Sequence, residues 1–217
     1  MGSYDPFLVI AGLLGLSLAP FLLMTATSYL KIVIVFSLIR NALGVQQVPP
    51  TMLLNGLAII FTIFIMTDVG MDMQRLAHQQ SFSKDMSITE MFTSVEKISP
   101  PLKDFLQRNT RPENTEFFYD LSQRLMKEEN ALHITRDSFY IILPSFAVSE
   151  LTRAFEIAFL LYLPFIIVDI IVSNILLALG MMMVSPMTIS LPFKLLLFVL
   201  LNGWTELIEG LIVSYIQ

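Results

Sequence analysis

Cysteine is absent from the 217 residues. That excludes disulfide frameworks, thiolate metal sites and cysteine nucleophiles together. Charge is scarce as well: 14% of the residues are Asp, Glu, Lys or Arg, against ~25% in an ordinary soluble domain. Histidine occurs only as His78 and His133, both in the most polar stretch of the chain. No H-E-x-x-H pattern, Walker A sequence or glycine-rich phosphate loop is present, so neither zinc hydrolysis nor nucleotide chemistry has a carrier. Gly15-Leu16-Ser17-Leu18 resembles an intramembrane serine-protease loop, but no histidine lies in an apolar stretch to act as base for Ser17. Lys and Arg form no run and the net charge is −5, which disfavours nucleic acid as a partner. The first thirty residues contain neither Lys nor Arg and carry Asp5, which disfavours a cleavable signal peptide. Gly2 is followed by Pro6 where an acylation motif wants Ser or Thr. No catalytic residue, metal site or cofactor is expected.

What is abundant is apolar sequence: 55% of the residues are hydrophobic and the mean hydropathy is +0.71. Four apolar blocks stand against one polar block. The first, Phe7 to Ile39, is interrupted by Pro20 and Lys31. As one helix it would be ~50 Å long, against a hydrocarbon thickness of ~30 Å, so it must tilt, break or leave the bilayer. Pro20 is the expected break. The second block, Met52 to Val69, follows Pro49-Pro50.

The polar block, Met71 to Asp137, reads as short amphipathic helices. Ser87 with Glu90 three residues on is a capping-box pattern, followed by Met91, Phe92, Val95 and Ile98 at helical spacing. Pro100-Pro101 and Pro112 are placed to open helices, and Phe118, Leu121 and Leu125 form a later apolar stripe. The third block starts at Phe139, is cut by the patch Ser149 to Glu156, and resumes from Ile157 to Met183. The fourth runs from Leu191 to Ile216, and the short connection Val184 to Ser190 makes these two an expected antiparallel helical hairpin.

The expected fold is therefore all-α. An apolar helical hairpin at residues 1–70 precedes a polar helical insertion at 71–138, and a second apolar hairpin follows at 139–217. Lys31 and Arg40 flank the first short connection and Lys194 lies beside the last, while the polar block carries nine basic and eleven acidic residues. The positive-inside rule then puts the short connections in the cytoplasm and the polar block, with both termini, outside.

Within the apolar blocks lie residues that lipid alone does not tolerate. Asp169 and Asn174 sit in the third block, Lys194 near the start of the fourth, and Pro144, Pro164 and Pro192 beside or inside them, with Pro164 and Pro192 as further expected helix breaks. An ionised group at the bilayer centre costs ~3 kcal/mol or more on insertion scales, so such residues face a partner or water. With the turn near Ser185 to Ser190, Asp169 lies about ten residues deeper than Lys194, too far for a Lys side chain in a straight hairpin rising 1.5 Å per residue. Pairing would need a kink at Pro192 or a contact between subunits; the plainer reading is that Lys194 snorkels. Glu150, Arg153 and Glu156, three residues apart, form a patch able to satisfy itself on one helix face. Met181, Met182 and Met183 follow Gly180 and on a helix would fan over ~200°, so they cannot all face one neighbour. They are either a conforming thioether surface or filler at a helix end.

Several longer stretches resemble one family. The connection Arg40-Asn41-Ala42-Leu43-Gly44-Val45-Gln46-Gln47-Val48-Pro49-Pro50 is similar to the signature connection of the FliP/SctR family, an export-gate protein of type III secretion systems. Leu143 to Phe146, Ser149 to Leu151, Leu163 to Asp169, Gly180 to Met183 and Ser190 to Phe198, reaching Gly203-Trp204, resemble further family motifs in the same order. Flagellar members usually have a signal peptide and a longer N-terminus, so the chain looks more like the SctR branch of injectisomes.

The resemblance implies a homopentamer. It would assemble with FliQ/SctS-like and FliR/SctT-like subunits into a helical, cone-like entry channel in the bacterial inner membrane, mostly on the periplasmic side. SctU-like and SctV-like export proteins and the needle-base inner rod would adjoin it, and unfolded secreted proteins would be the cargo. It further implies that Met181, Met182 and Met183 line a gasket and that Asp169, Lys194, Glu150, Arg153 and Glu156 are interior charges that set packing. Two readings from other classes stand beside this one. One is a secondary transporter or ion-channel subunit using Asp169, Asn174 and Lys194 between broken helices; the other is an intramembrane hydrolase acting through Ser17.

Overall fold

The computed structural model of the chain describes residues 6–45, 48–80, 88–127 and 134–216. Ser87 of the capping pattern, His133, Gly2 and Gln46-Gln47 of the signature connection lie outside the described residues, as do the side chains of Met91 and Phe92. The described residues form helices and connections, with no strand among them. In chain order the helices are α1 (Pro6–Thr25), α2 (Tyr29–Ala42), α3 (Thr51–Ile65), α4 (Thr67–His78), α5 (Ile88–Ile98), α6 (Pro100–Arg108), α7 (Pro112–Leu125), α8 (Phe139–Ala178), α9 (Pro186–Leu200) and α10 (Gly203–Val213).

The expected interruptions fall elsewhere. Helix α1 runs through Pro20 and ends only at Thr25. The 40 residues of α8 are one helix, continuous through Pro144, the charged patch and Pro164, and α9 runs through Pro192. A helical proline withdraws one N–H from the ladder. Where no water can replace broken hydrogen bonds, ending the helix there would expose several more. The first block breaks instead at Ala26 to Ser28, where the hydroxyls of Thr25 and Thr27 donate to the carbonyls of Phe21 and Leu23. The fourth block begins as a helix at Pro186, in the favoured first-turn position. It breaks at Leu201 and Asn202 with a 59° bend between α9 and α10.

By length and composition, α8 is the one described helix able to cross a membrane alone; counting α3 with α4 and α9 with α10 as broken spans raises this to three. At 1.5 Å per residue α8 is ~60 Å long, twice the hydrocarbon thickness.

The residues cluster into two units that interleave along the chain: residues 1–30 with 62–150, and residues 31–61 with 151–217. The first unit holds the polar helices. Leu106, Ile141, Ile142 and Phe146 are buried there, and the Phe105 and Phe146 rings lie 6.0 Å apart. Two serines of α8 fix the start of α7. Ser149 Oγ accepts from the Arg111 backbone N–H at 3.0 Å and from Asn114 Nδ2 at 2.8 Å, and Ser145 Oγ donates to the Asn114 carbonyl at 3.2 Å. Arg111 precedes Pro112, the first residue of α7, so Ser149 satisfies a donor at that helix start. The connection before α8 is held by Arg136, which meets both carboxylate oxygens of Glu116 at 2.7 and 3.0 Å and lies 4.3 Å from the Tyr119 ring.

The second unit is built on α2, which buries Ile32, Val35, Phe36 and Ile39. Five rings run through it in series: Phe61, Phe36, Trp204, Phe198 and Phe165, with successive centroids 6.2, 6.0, 5.3 and 6.4 Å apart. Three of the four pairs are edge-to-face, an arrangement worth ~0.5–1.5 kcal/mol per pair beyond area burial. This series also places the bend after α9. Asn202 adopts the left-handed conformation (φ 50°), and the next residue must be glycine, since a Cβ on Gly203 would fall 2.4 Å from the Phe198 ring.

Candidate functional site

Helix α8 ends in a way that determines where the methionines go. Gly180 has φ +73°, its N–H bonds to the Leu177 carbonyl at 3.0 Å, and the Met181 N–H bonds to the Leu176 carbonyl at 2.9 Å. These two bonds around a left-handed glycine make a Schellman motif, so the chain leaves the helix at Gly180. Met181, Met182 and Met183 therefore do not fan around a helix, as expected from sequence; they sit on the non-helical connection between α8 and α9. Their exposures are 47%, 82% and 101%.

The placement of that connection also resolves the depth of the two charges. Because α9 starts at Pro186, Lys194 lies eight residues beyond its start, while Asp169 lies nine residues before the end of α8 at Ala178. The expected mismatch of about ten residues came from placing the turn too late. Lys194 Nζ donates to Asp169 Oδ2 at 2.6 Å within one chain, with no break at Pro192. Ser190, one turn before Lys194, donates to Asp169 Oδ1 at 2.6 Å. Lys194 Nζ also donates to the Ala42 carbonyl at 3.2 Å, the last residue of α2. A cation at a helix C-terminus meets both unsatisfied carbonyls and the negative end of the dipole.

The family-like connection after α2 joins this centre. Gly44 takes φ +74°, and a Cβ there would lie 3.9 Å from Met187 and Leu191 of α9. Arg40 Nη1 donates to Thr51 Oγ1 at 2.8 Å, tying the end of α2 to the start of α3.

The other expected charges are not equivalent. Glu150 is wholly buried and clusters with the first unit, whereas Arg153 is half-buried and Glu156 exposed in the second. Asn174 is exposed. Pro20, Pro164 and Pro192, expected as helix breaks, are exposed residues inside continuous helices.

Sequence reasoning missed a second buried cation. Lys31 has no exposed surface, donates to Ser214 Oγ at 3.0 Å and lies 3.7 Å from the Tyr215 ring centroid. Its signal in the sequence is its position inside an apolar run. Ser190 was missed too, although its spacing of four from Lys194 puts both on one helix face. Beyond this centre, a half-open apolar cavity of about 690 Å³ is lined by Leu160, Pro164, Phe165, Phe198 and Leu207, with Glu206 as its carboxylate. Among the described residues no cluster of His, Asp and Glu suits a metal ion.

The family model described as the FliP family matches residues 13–211. The chain is similar to the Yop proteins translocation protein R of Yersinia pestis, 52% identical with 92% of each chain covered. It is similar also to the harpin secretion protein HrcR of Erwinia amylovora, 45% identical over 99% of this chain and 98% of the relative. The virulence protein YscR of Salmonella typhimurium is 43% identical over 97% of each chain. A family match over nearly the whole length, with relatives of the virulence-associated type, makes this chain a member of the FliP family, in its SctR branch.

Proposed function

We propose that this chain is a core subunit of the type III secretion export apparatus and helps form the inner-membrane entry channel for unfolded proteins. The observation that carries the reading is the FliP-family match over residues 13–211, joined to relatives named for Yop translocation and harpin secretion. The chain acts as a conduit, not as an enzyme.

In this reading Met181, Met182 and Met183 form the seal. A channel for unfolded chains must block ions yet yield to side chains of any shape, and flexible, polarizable thioethers serve both needs. Their exposure on a connection fixed by the Schellman turn at Gly180 supports that role. The centre of Lys194, Asp169, Ser190 and the Ala42 carbonyl sets the packing behind them, α8 and α9 forming an antiparallel hairpin. Glu150 in the first unit, and Arg153 and Glu156 in the second, are the remaining charges that set packing.

The copies assemble as a homopentamer with FliQ/SctS-like and FliR/SctT-like subunits into a cone-like channel, with SctU-like and SctV-like export proteins and the inner rod adjoining. The exposed apolar surface supports an assembly of this kind. Phe155, Phe159, Ile166, Ile170 and Leu177 are all at least one-third exposed, and only 17% of the most apolar window of α8 is buried in the chain itself. Patches of this extent mark surfaces that partners or lipid cover. The protein is multi-pass in the inner membrane, with the polar helices α5 to α7 on the periplasmic side.

Co-expression with SctS-like and SctT-like subunits, followed by native mass spectrometry of the detergent extract, tests the reading. The expected result is a complex containing five copies of this chain. A lone chain that drives proton-coupled solute transport in liposomes would overturn it in favour of a transporter using Asp169, Asn174 and Lys194.

A further inference from the structure

We infer that Met182 and Met183 are a redox-sensitive site: peroxide converts their thioethers to sulfoxides and thereby opens the seal. The inference rests on the sealing role proposed above. The chain has no cysteine, so its 13 methionines hold all of its sulfur. Met182 and Met183 are 82% and 101% exposed, with Met181 beside them at 47%. They stand on a non-helical connection, and nothing lies within 4 Å of the Cβ position at Gly180, immediately before them. Met24, Met52, Met71 and Met187 are also exposed, but each is a single thioether on a helix. Only residues 181–183 put adjacent sulfurs on the segment whose apolar character does the sealing.

The chemistry balances with hydrogen peroxide as the oxidant. A sulfur lone pair attacks one peroxide oxygen, the O–O bond breaks, and an S–O bond forms. The sulfur loses two electrons; the departing hydroxide takes the proton from the new S–OH group and leaves as water. The product replaces a flexible apolar side chain with a polar one. A sulfoxide oxygen accepts hydrogen bonds from water, so a ring of them hydrates the constriction that thioethers keep dry. Methionine sulfoxide reductases reverse the change, which makes the site a reversible lesion, not a permanent one.

The experiment uses the assembled channel in phospholipid vesicles, treated with graded hydrogen peroxide. Peptide mass mapping reads the sites, and dye or ion flux reads the leak. Met182 and Met183 should gain oxygen before Met181, and leak should rise several-fold in step with their oxidation. Methionine sulfoxide reductase should return it to the starting value. A variant carrying Met181→Leu, Met182→Leu and Met183→Leu keeps an apolar side chain of similar volume and should show no peroxide-induced leak. An equal peroxide-induced leak in that variant would overturn the inference. So would complete oxidation of Met182 and Met183 in the native chain without leak. If replacement of the three by alanine leaks while oxidation does not, the sealing role stands and the redox inference falls. If neither leaks, the sealing role itself falls.

Discussion

Lys194 and Asp169 meet at equal depth on the two sides of the methionine-bearing connection, 2.6 Å apart, but their environments differ. The lysine side chain is 4% exposed and the aspartate 37%. Removing either partner is therefore not the same experiment. Asp169→Ala leaves a buried ammonium with only Ala42 O of its two hydrogen-bond partners and should cost about 3 kcal/mol, the lower end for breaking a buried pair. Lys194→Met leaves a carboxylate that water and Ser190 still solvate, and should cost about 1 kcal/mol by the same reasoning. The double variant should recover most of the difference. Denaturant unfolding in detergent across the four-member cycle measures this.

The second buried cation has a different anchor. Lys31 Nζ lies 3.7 Å from the Tyr215 ring and 3.0 Å from Ser214 Oγ. Tyr215→Leu keeps apolar volume but removes the ring face, and should lower stability by about 2 kcal/mol, the magnitude for a desolvated cation–π contact. Tyr215→Phe keeps the face and should cost less than Tyr215→Leu. Thermal melts of the two variants separate ring electrostatics from packing.

Two glycines are required for different reasons. Gly203→Ala forces a Cβ to within 2.4 Å of the Phe198 ring and must displace the aromatic series, costing about 1–3 kcal/mol as overpacking does. Gly44→Ala meets only ordinary contacts at 3.9 Å, so its cost is backbone strain at φ +74°, on the order of 1 kcal/mol. Melting temperatures should rank Gly203→Ala below Gly44→Ala.

The polar helices carry a pH dependence. The hydrogen bonds from Arg136 hold the Glu116 carboxyl below its ordinary range, its partial desolvation opposing and the attraction of the same guanidinium assisting. A carboxylate whose pKa falls on folding stabilises the fold above its unfolded pKa, and that contribution disappears as pH falls through the lowered folded value. Native protein should therefore be more stable than Glu116→Gln at neutral pH, and the gap should close in acid. Thermal melts of both from pH 7 downward give the comparison; a gap that persists below the carboxylate range would contradict it.

The helical class and most helix bodies were legible because long apolar runs and amphipathic spacing are local properties. The breaks were not. Pro20 and Pro192 carry the strongest local signal for a break, yet the helices continue through both. The actual bend at Asn202 depends on how closely Gly203 and Trp204 meet Phe198 and on the contact of Trp204 with Phe36, which is distant in sequence. A shift of a few residues in the start of α9 likewise changed the depth of Lys194 and turned an apparent mismatch into a pair. The glycine before the methionines was visible, but the Schellman bonds that expel them from the helix are a matter of backbone geometry. Lys31 was conspicuous, and its burial could not be read from a neighbour 183 residues away.

Met181, Met182 and Met183 are proposed to seal an assembled protein-conducting channel. The most direct measurement is ion flux through that assembly in vesicles, comparing the native chain with one in which all three are alanine. Assembly should be normal and the leak clearly raised. Normal assembly with unchanged leak would contradict it.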